Sequence, residues 1–136
     1  MLKGKCLLYS GATSENITGS QVLIIDNIGM LSSLYRYGQL AYIGGGFGKG
    51  IHNILEAAVW GIPVIFGPNF RKFREAVDLV QYGGGFSVTN FSELNSLITA
   101  LRNDPATCLQ ASVKAAGYVK QHTGATSKIM QQLFPH

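Results

Sequence analysis

The chain has 136 residues, of which 46% are hydrophobic and 13% are charged. This length allows one domain with a hydrophobic core, and the composition excludes a disordered chain, which needs low hydrophobicity and high charge. The formal net charge is +4, but the basic residues do not form a stripe that alternates with aromatic residues, so no nucleic-acid partner is predicted. The two distant cysteines, Cys6 and Cys108, match no metal or redox spacing and predict free thiols in a reducing compartment.

Strands and helices are predicted to alternate along the chain. The strands are expected over 5–9, 22–25, 40–43, 62–66 and 86–88, and the helices over about 51–60, 70–82, 92–102, 105–119 and 125–133. The continuous apolar run Val22–Ile25 favours a strand buried on both faces, as in parallel sheets. The alternation predicts an α/β fold with a Rossmann-like, doubly wound parallel sheet, formed by a single domain over residues 1–136.

No segment approaches the roughly 20 apolar residues that cross a bilayer. No secretory signal is present either. We therefore expect the chain on its own to be soluble.

Three loops are predicted at the carboxyl ends of strands, where ligands bind in open α/β sheets. They are 26–30, 44–53 and 67–70. The middle loop has glycine at 44, 45, 46, 48 and 50, so its backbone and the start of the next helix are expected to approach an anion. It is not a P-loop, because Gly50 follows Lys49 where Ser or Thr is required, and Lys49 also breaks the G-x-G-x-x-G pattern.

The start of the following helix has two interpretations. Asn53 and Glu56 are three residues apart and project from the same side of a helical turn, so Glu56 can accept hydrogen bonds from ribose hydroxyls. Alternatively, Asn53 caps the helix and Glu56 complements its dipole. His52 is equally open to a structural role, and Lys49 and Arg71 either reach the anion or are only solvated.

Four segments together resemble the C-terminal domain of bacterial transferases of Kdo (3-deoxy-D-manno-octulosonic acid). Residues 26–31 read DNIGML, 41–47 AYIGGGF, 52–58 HNILEAA and 61–68 GIPVIFGP. The family patterns are D-T-x-G-E-L, G-G-[ST]-F, G-G-H-N-x-L-E-P and G-x-P-V-x-x-G-P, in the same order. This chain departs from them at Met30, Ile51 and Ala57, where the family has Glu, Gly and Pro.

The resemblance implies one half of a type-B glycosyltransferase, in which two Rossmann-like domains face each other across a cleft. This half would bind the donor CMP-Kdo, without a metal or other cofactor. The acceptor, lipid A, and the carboxylate general base would belong to an N-terminal domain, so no catalytic residue is predicted in this chain and the fragment is expected to be inactive alone. The full-length enzyme would work at the membrane surface, on the cytoplasmic face of the bacterial inner membrane.

The resemblance also implies which residues meet the donor. Ile28, Gly29 and Met30 would contact the CMP moiety. Gly44, Gly45, Gly46 and Phe47 would line the cleft near the sugar, with His52 near the sugar carboxylate. Asn53, Ile54, Leu55 and Glu56 would hold the phosphate and the ribose.

Two other functional classes remain open at this point. One is a type-B glycosyltransferase or an epimerase that uses a UDP-sugar, which a preference for uridine over cytidine would reveal. The other is a non-enzymatic Rossmann-like binding module, which predicts no nucleotide preference and no effect of Glu56→Ala.

Overall fold

The computed structural model describes residues 5–124 together with 130, 132 and 133. The chain divides into two compact units, Met1–Leu34 and Tyr35–His136, and each is described by itself. The single domain expected over the whole chain stays a prediction. Most of the helix predicted over 125–133 lies outside the described residues.

The first unit contains a two-stranded parallel sheet. Strand β1, Cys6–Leu8, pairs with β2, Val22–Ile24, and the one-turn helix α1, Leu31–Leu34, follows. Leu23 and Ile24 are 41% and 45% exposed. The prediction of a strand buried on both faces was therefore wrong, because β2 pairs here with β1 alone and a four-residue helix cannot cover a sheet face.

The second unit contains a three-stranded parallel sheet in the order β3-β4-β5. Its strands are β3, Ala41–Tyr42; β4, Val64–Phe66; and β5, Gly85–Ser87. Its helices are α2, Leu55–Ala58; α3, Arg74–Tyr82; α4, Phe91–Asn103; and α5, Pro105–His122. The parallel α/β fold predicted from the alternating pattern is confirmed.

The hydrophobic core of this unit surrounds the central strand β4. All three β4 residues are buried, which explains why this segment is continuously apolar. Ile54 and Leu79 pack into the same core from the start of α2 and from α3. Helix α5 comes close enough that a Cβ on Gly84 would lie 2.6 Å from the backbone nitrogen of Ala115, so glycine is required at that crossing.

Two predicted helices begin later than expected. The helix predicted from 51 starts at Leu55, because Ile51 instead forms a β-bridge with Gly45. The helix predicted from 70 starts at Arg74, because the N–H of Phe73 donates to the carbonyl of Phe70 and closes a turn there. No helix in the described part of the chain is long and apolar enough to cross a membrane.

Asp104 connects α4 to α5 and predicts a pH-dependent stability. Its carboxylate accepts the hydroxyl of Thr107 at 2.6 Å and the N–H groups of Ala106 and Thr107 at 3.1 and 3.2 Å. These bonds, first of all the one from the Thr107 hydroxyl, hold the pKa of Asp104 below its usual 3.8. A carboxyl with a lowered folded-state pKa contributes stability that is present above its unfolded pKa and lost as the pH falls through the folded value.

We therefore expect the urea midpoint to fall between pH 6 and pH 3, and to fall less in Asp104→Asn. The amide oxygen still caps the helix but does not titrate. Urea unfolding of both proteins at the two pH values measures the difference. If the urea midpoint fell equally in the two proteins, other carboxylates would be responsible for the loss of stability at low pH.

Candidate functional site

The glycine-rich loop folds into a tight hairpin after β3. The N–H of Gly46 donates to the carbonyl of Gly50 at 2.6 Å, and Gly45 bridges to Ile51. Gly45 and Gly46 have φ angles of 90° and 80°, which residues with a side chain rarely adopt. The glycines therefore shape the turn, and residues 47–49 form its exposed tip.

A second segment, 67–73, supports this hairpin. The backbone N–H of Asn69 donates to the carbonyl of Gly46 at 2.8 Å, and its side-chain amide donates to the carbonyl of Gly48 at 3.0 Å. A Cβ on Gly50 would lie 2.8 Å from the ring of Phe73. We call residues 44–50 and 67–73 together the loop platform. Because β3 and β4 are neighbouring parallel strands, the platform lies at the carboxyl edge of the sheet, where such folds bind ligands.

Asn53 and Glu56 meet beside the platform, as their spacing predicted. The Asn53 amide donates to a carboxylate oxygen of Glu56 at 2.9 Å, and its carbonyl oxygen accepts the N–H of Leu55 at 3.1 Å. Asn53 thus closes a local turn just before α2, but the N-cap position of α2 is Ile54, which forms no side-chain cap. The alternative interpretation, in which Asn53 caps the helix, is therefore not confirmed. A carboxylate offers about four acceptor positions, so Glu56 can accept further hydrogen bonds.

The anion site expected from a helix dipole is not supported. Helix α2 has four residues, and a single turn has little of the dipole that a long helix carries. The N–H of Leu55 is directed to Asn53, and the N–H of Gly46 is directed to Gly50. Any anion bound here must therefore rely on the loop platform and on side chains rather than on a helix end.

Phe47, at the tip of the hairpin, and His52, just after it, are both exposed. The imidazole of His52 lies over the hairpin stem, since a Cβ on Gly45 would be 3.4 Å from its Cδ2. Phe47 is 53% exposed at the tip. Both side chains are accessible to a ligand, and their predicted contacts with the donor sugar stay predictions.

Tyr35 is a neighbour of Glu56 that the sequence did not reveal. Burial raises the pKa of its phenol above the usual 10.0, and the negative charge of Glu56 raises it further. The phenol therefore stays protonated at neutral pH and can donate a hydrogen bond. Tyr35 is far from Glu56 in the sequence and belongs to none of the recognisable segments, so no signal in the sequence pointed to it.

The predicted CMP contacts 28–30 belong to the first unit. Ile28 is fully exposed, Gly29 has a φ of 94°, and the side-chain amide of Asn27 lies 2.9 Å from the sulfur of Met30. Asp26, just before them, accepts the hydroxyl and the N–H of Ser10 at 2.5 and 3.0 Å. Those bonds lower the pKa of Asp26. The prediction that residues 28–30 contact the ligand of the second unit stays a prediction.

The carboxylates of the chain mostly stabilise local structure. Besides Asp26 and Asp104, Glu93 accepts the hydroxyl and the N–H of Thr89, both at 2.7 Å, which lowers its pKa. Asp78 pairs with Arg74 at 3.7 Å. A carboxylate with a lowered pKa is a poor general base at neutral pH.

Metal ligands do not cluster in the described part of the chain. No group of three or more His, Cys, Asp or Glu side chains there could hold a metal ion. Binding of the donor without a metal stays a prediction.

The chain is similar to known proteins in sequence and in fold. The chain is 42% identical over 89 residues to the 3-deoxy-D-manno-octulosonic acid transferase of Aquifex aeolicus, covering 64% of this chain and 25% of that protein. It is 30% identical over 121 residues to the transferase of Chlamydia pneumoniae, covering 87% of this chain and 28% of that protein. Its fold matches the C-terminal CMP-Kdo binding domain of WaaA from Acinetobacter baumannii, with a TM-score of 0.75 and 23% identity, over 86% of this chain and 62% of that one.

The predicted resemblance to the C-terminal domain of Kdo transferases is confirmed. No family model matches the chain. The chain spans about a quarter of the length of the Kdo transferases that it matches in sequence. The match to the Acinetobacter domain shows a shared fold.

Proposed function

We propose that this chain is the donor-binding domain of a Kdo transferase and that it binds CMP-Kdo. The observation that carries the proposal is the hydrogen-bonded pair Asn53–Glu56 beside the loop platform, at the carboxyl edge of a parallel sheet. The resemblance to Kdo transferases and the shared fold with a CMP-Kdo binding domain support it.

Each part of the site has a chemical role in this proposal. Glu56 accepts hydrogen bonds from the ribose hydroxyls, which are donors that a carboxylate binds strongly. Asn53 holds the carboxylate in place through its 2.9 Å bond. The loop platform receives the phosphate, and the donor is held without a metal or other cofactor.

The activity of the whole protein is part of the proposal. It would transfer Kdo from CMP-Kdo to lipid A, at the cytoplasmic face of the bacterial inner membrane. A general base would deprotonate the acceptor hydroxyl, which then displaces CMP at the anomeric carbon. We place that base outside this chain, so the chain alone is expected to bind the donor and to transfer nothing.

Binding of CMP, UMP and NAD to the isotope-labelled chain tests the proposal. We expect CMP to shift the amide resonances of residues 53–56, and UMP to bind about tenfold more weakly, because a cytosine amino donor becomes a carbonyl acceptor in uracil. Two-dimensional NMR titrations give both affinities and the residues affected.

Each of the other outcomes has a defined meaning. A preference for UMP would keep the fold and change the donor. Equal responses to all three nucleotides, or none, would contradict the proposal. Shifts at 28–30 in the same CMP titration would support the predicted contacts of Ile28, Gly29 and Met30.

A further inference from the structure

The loop platform carries positive charge and no negative charge. Lys49 lies at the tip of the hairpin, and Arg71 and Lys72 lie in the supporting segment. Neither 44–50 nor 67–73 contains Asp or Glu. The platform therefore holds three of the eleven Lys and Arg residues of the chain on two short loops at the edge of the sheet where ligands bind.

Two contacts hold the backbone around Lys49 against the backbone around Arg71. Gly48, just before Lys49, accepts a hydrogen bond from the side chain of Asn69. Gly50, just after Lys49, packs against the ring of Phe73. Arg71 lies midway between Asn69 and Phe73, so the backbone is held in contact on both sides of both basic residues.

The basic side chains of the platform are available to a ligand. Lys49, Arg71 and Lys72 are all exposed. In the described part of the chain, Arg74 forms an ion pair with Asp78 on α3. None of the three basic residues of the platform is paired with a carboxylate there. Like charges on adjoining loops repel one another, and they attract an anion from solution.

The proposed donor carries two negative groups, the phosphodiester and the carboxylate of the sugar. We infer that Lys49 and Arg71 form a subsite for the sugar carboxylate. This inference rests on the proposed function, in which Glu56 lies at the ribose end of the donor and the loop platform receives the phosphate. The inference adds that Lys49 and Arg71 lie beyond the phosphate, on the side of the sugar. A planar guanidinium matches a carboxylate with two parallel hydrogen bonds, and the Lys49 ammonium adds a second charge.

The test compares the affinities for CMP-Kdo and for CMP, which lacks the sugar carboxylate. We expect Lys49→Ala and Arg71→Ala each to weaken CMP-Kdo binding about tenfold, as the loss of one charge-assisted hydrogen bond implies. Binding of CMP should change less than about twofold. Lys49→Arg should retain most of the CMP-Kdo affinity, and Lys120→Ala, which removes the same charge from the last turn of α5, should change neither affinity.

The outcomes separate this inference from the proposed function. Equal losses of CMP and CMP-Kdo would overturn the carboxylate subsite and assign the basic residues to the phosphate, while the donor-binding function would stand. No loss in either variant would also overturn it and leave Lys49 and Arg71 as solvated charges. If the unaltered chain bound neither ligand, the proposed function would fail together with the inference.

Discussion

Replacing Glu56 with alanine is expected to abolish most of the affinity for CMP. The side chain accepts the Asn53 amide and is proposed to accept the ribose hydroxyls, and hydrogen bonds to a charged group contribute about 1.5–3 kcal/mol each. We therefore expect the dissociation constant of CMP to rise about 10- to 100-fold. Isothermal titration calorimetry with CMP measures the change directly.

Two further variants separate charge from structure. Glu56→Gln keeps an oxygen that can accept the Asn53 amide but loses the charge, so its affinity should lie between those of the native and alanine proteins. Glu75→Ala removes an acidic residue from the first turn of α3 and should leave CMP binding within about twofold. Native affinity in Glu56→Ala would leave Glu56 with only its local role beside Asn53, and would favour the non-enzymatic binding module.

The elements that the sequence predicted well are those whose burial decides their structure. Strand β4 is apolar at every position because both of its faces are covered, and such a run can be recognised without knowing its partners. Helix α5 begins at Pro105 with Asp104 as its cap, as the preference for proline in the first turn implies. The recognisable segments around Gly44 and Asn53 likewise fall on loops at the carboxyl edge of the sheet, where ligands were expected.

The remaining features depend on contacts between distant segments. Ile51 forms a β-bridge with Gly45 in the hairpin instead of starting the helix. The spacing of apolar residues along the sequence does not indicate such a bridge. Asn69 reads as an ordinary turn residue, yet it holds the hairpin through two hydrogen bonds. The charge of Glu56 raises the pKa of Tyr35, and no local pattern in the sequence indicates that the two residues are near each other. A single sequence without relatives to compare cannot show these pairings, because each is set by packing rather than by local preference.

The structure indicates a different kind of anion binding from the one that the sequence predicted. A glycine-rich loop before a helix suggests binding at a helix N-terminus, but α2 is a single turn. The structure instead has two loops that are joined by Asn69. Within the described part of the chain, the basic residues of these loops form no ion pair with a carboxylate. A ligand would therefore depend on the geometry of these two loops, and the loops leave very little room for a side chain where Gly67 meets Gly46.

Gly67→Ala is expected to destabilise the protein by about 2–3 kcal/mol, as overpacking of a close contact does. Its Cβ would lie 2.6 Å from the carbonyl carbon of Gly46 and 2.8 Å from the carbonyl oxygen of Gly45, so the hairpin and β4 would have to separate. Gly48→Ala is the matched control, because a Cβ there meets nothing within 4 Å. That variant should stay within about 0.5 kcal/mol of the native protein.

Urea unfolding of the two variants measures the difference as a shift of the midpoint at an unchanged slope. Gly67→Ala should also weaken CMP-Kdo binding under conditions where it is still folded, because displacing the hairpin moves the backbone that carries Lys49 away from the segment that carries Arg71. Equal midpoints for the two variants would mean that the loops can separate at little cost. The platform would then be an adaptable surface rather than a preformed site, and Lys49 and Arg71 would be brought together only by the ligand.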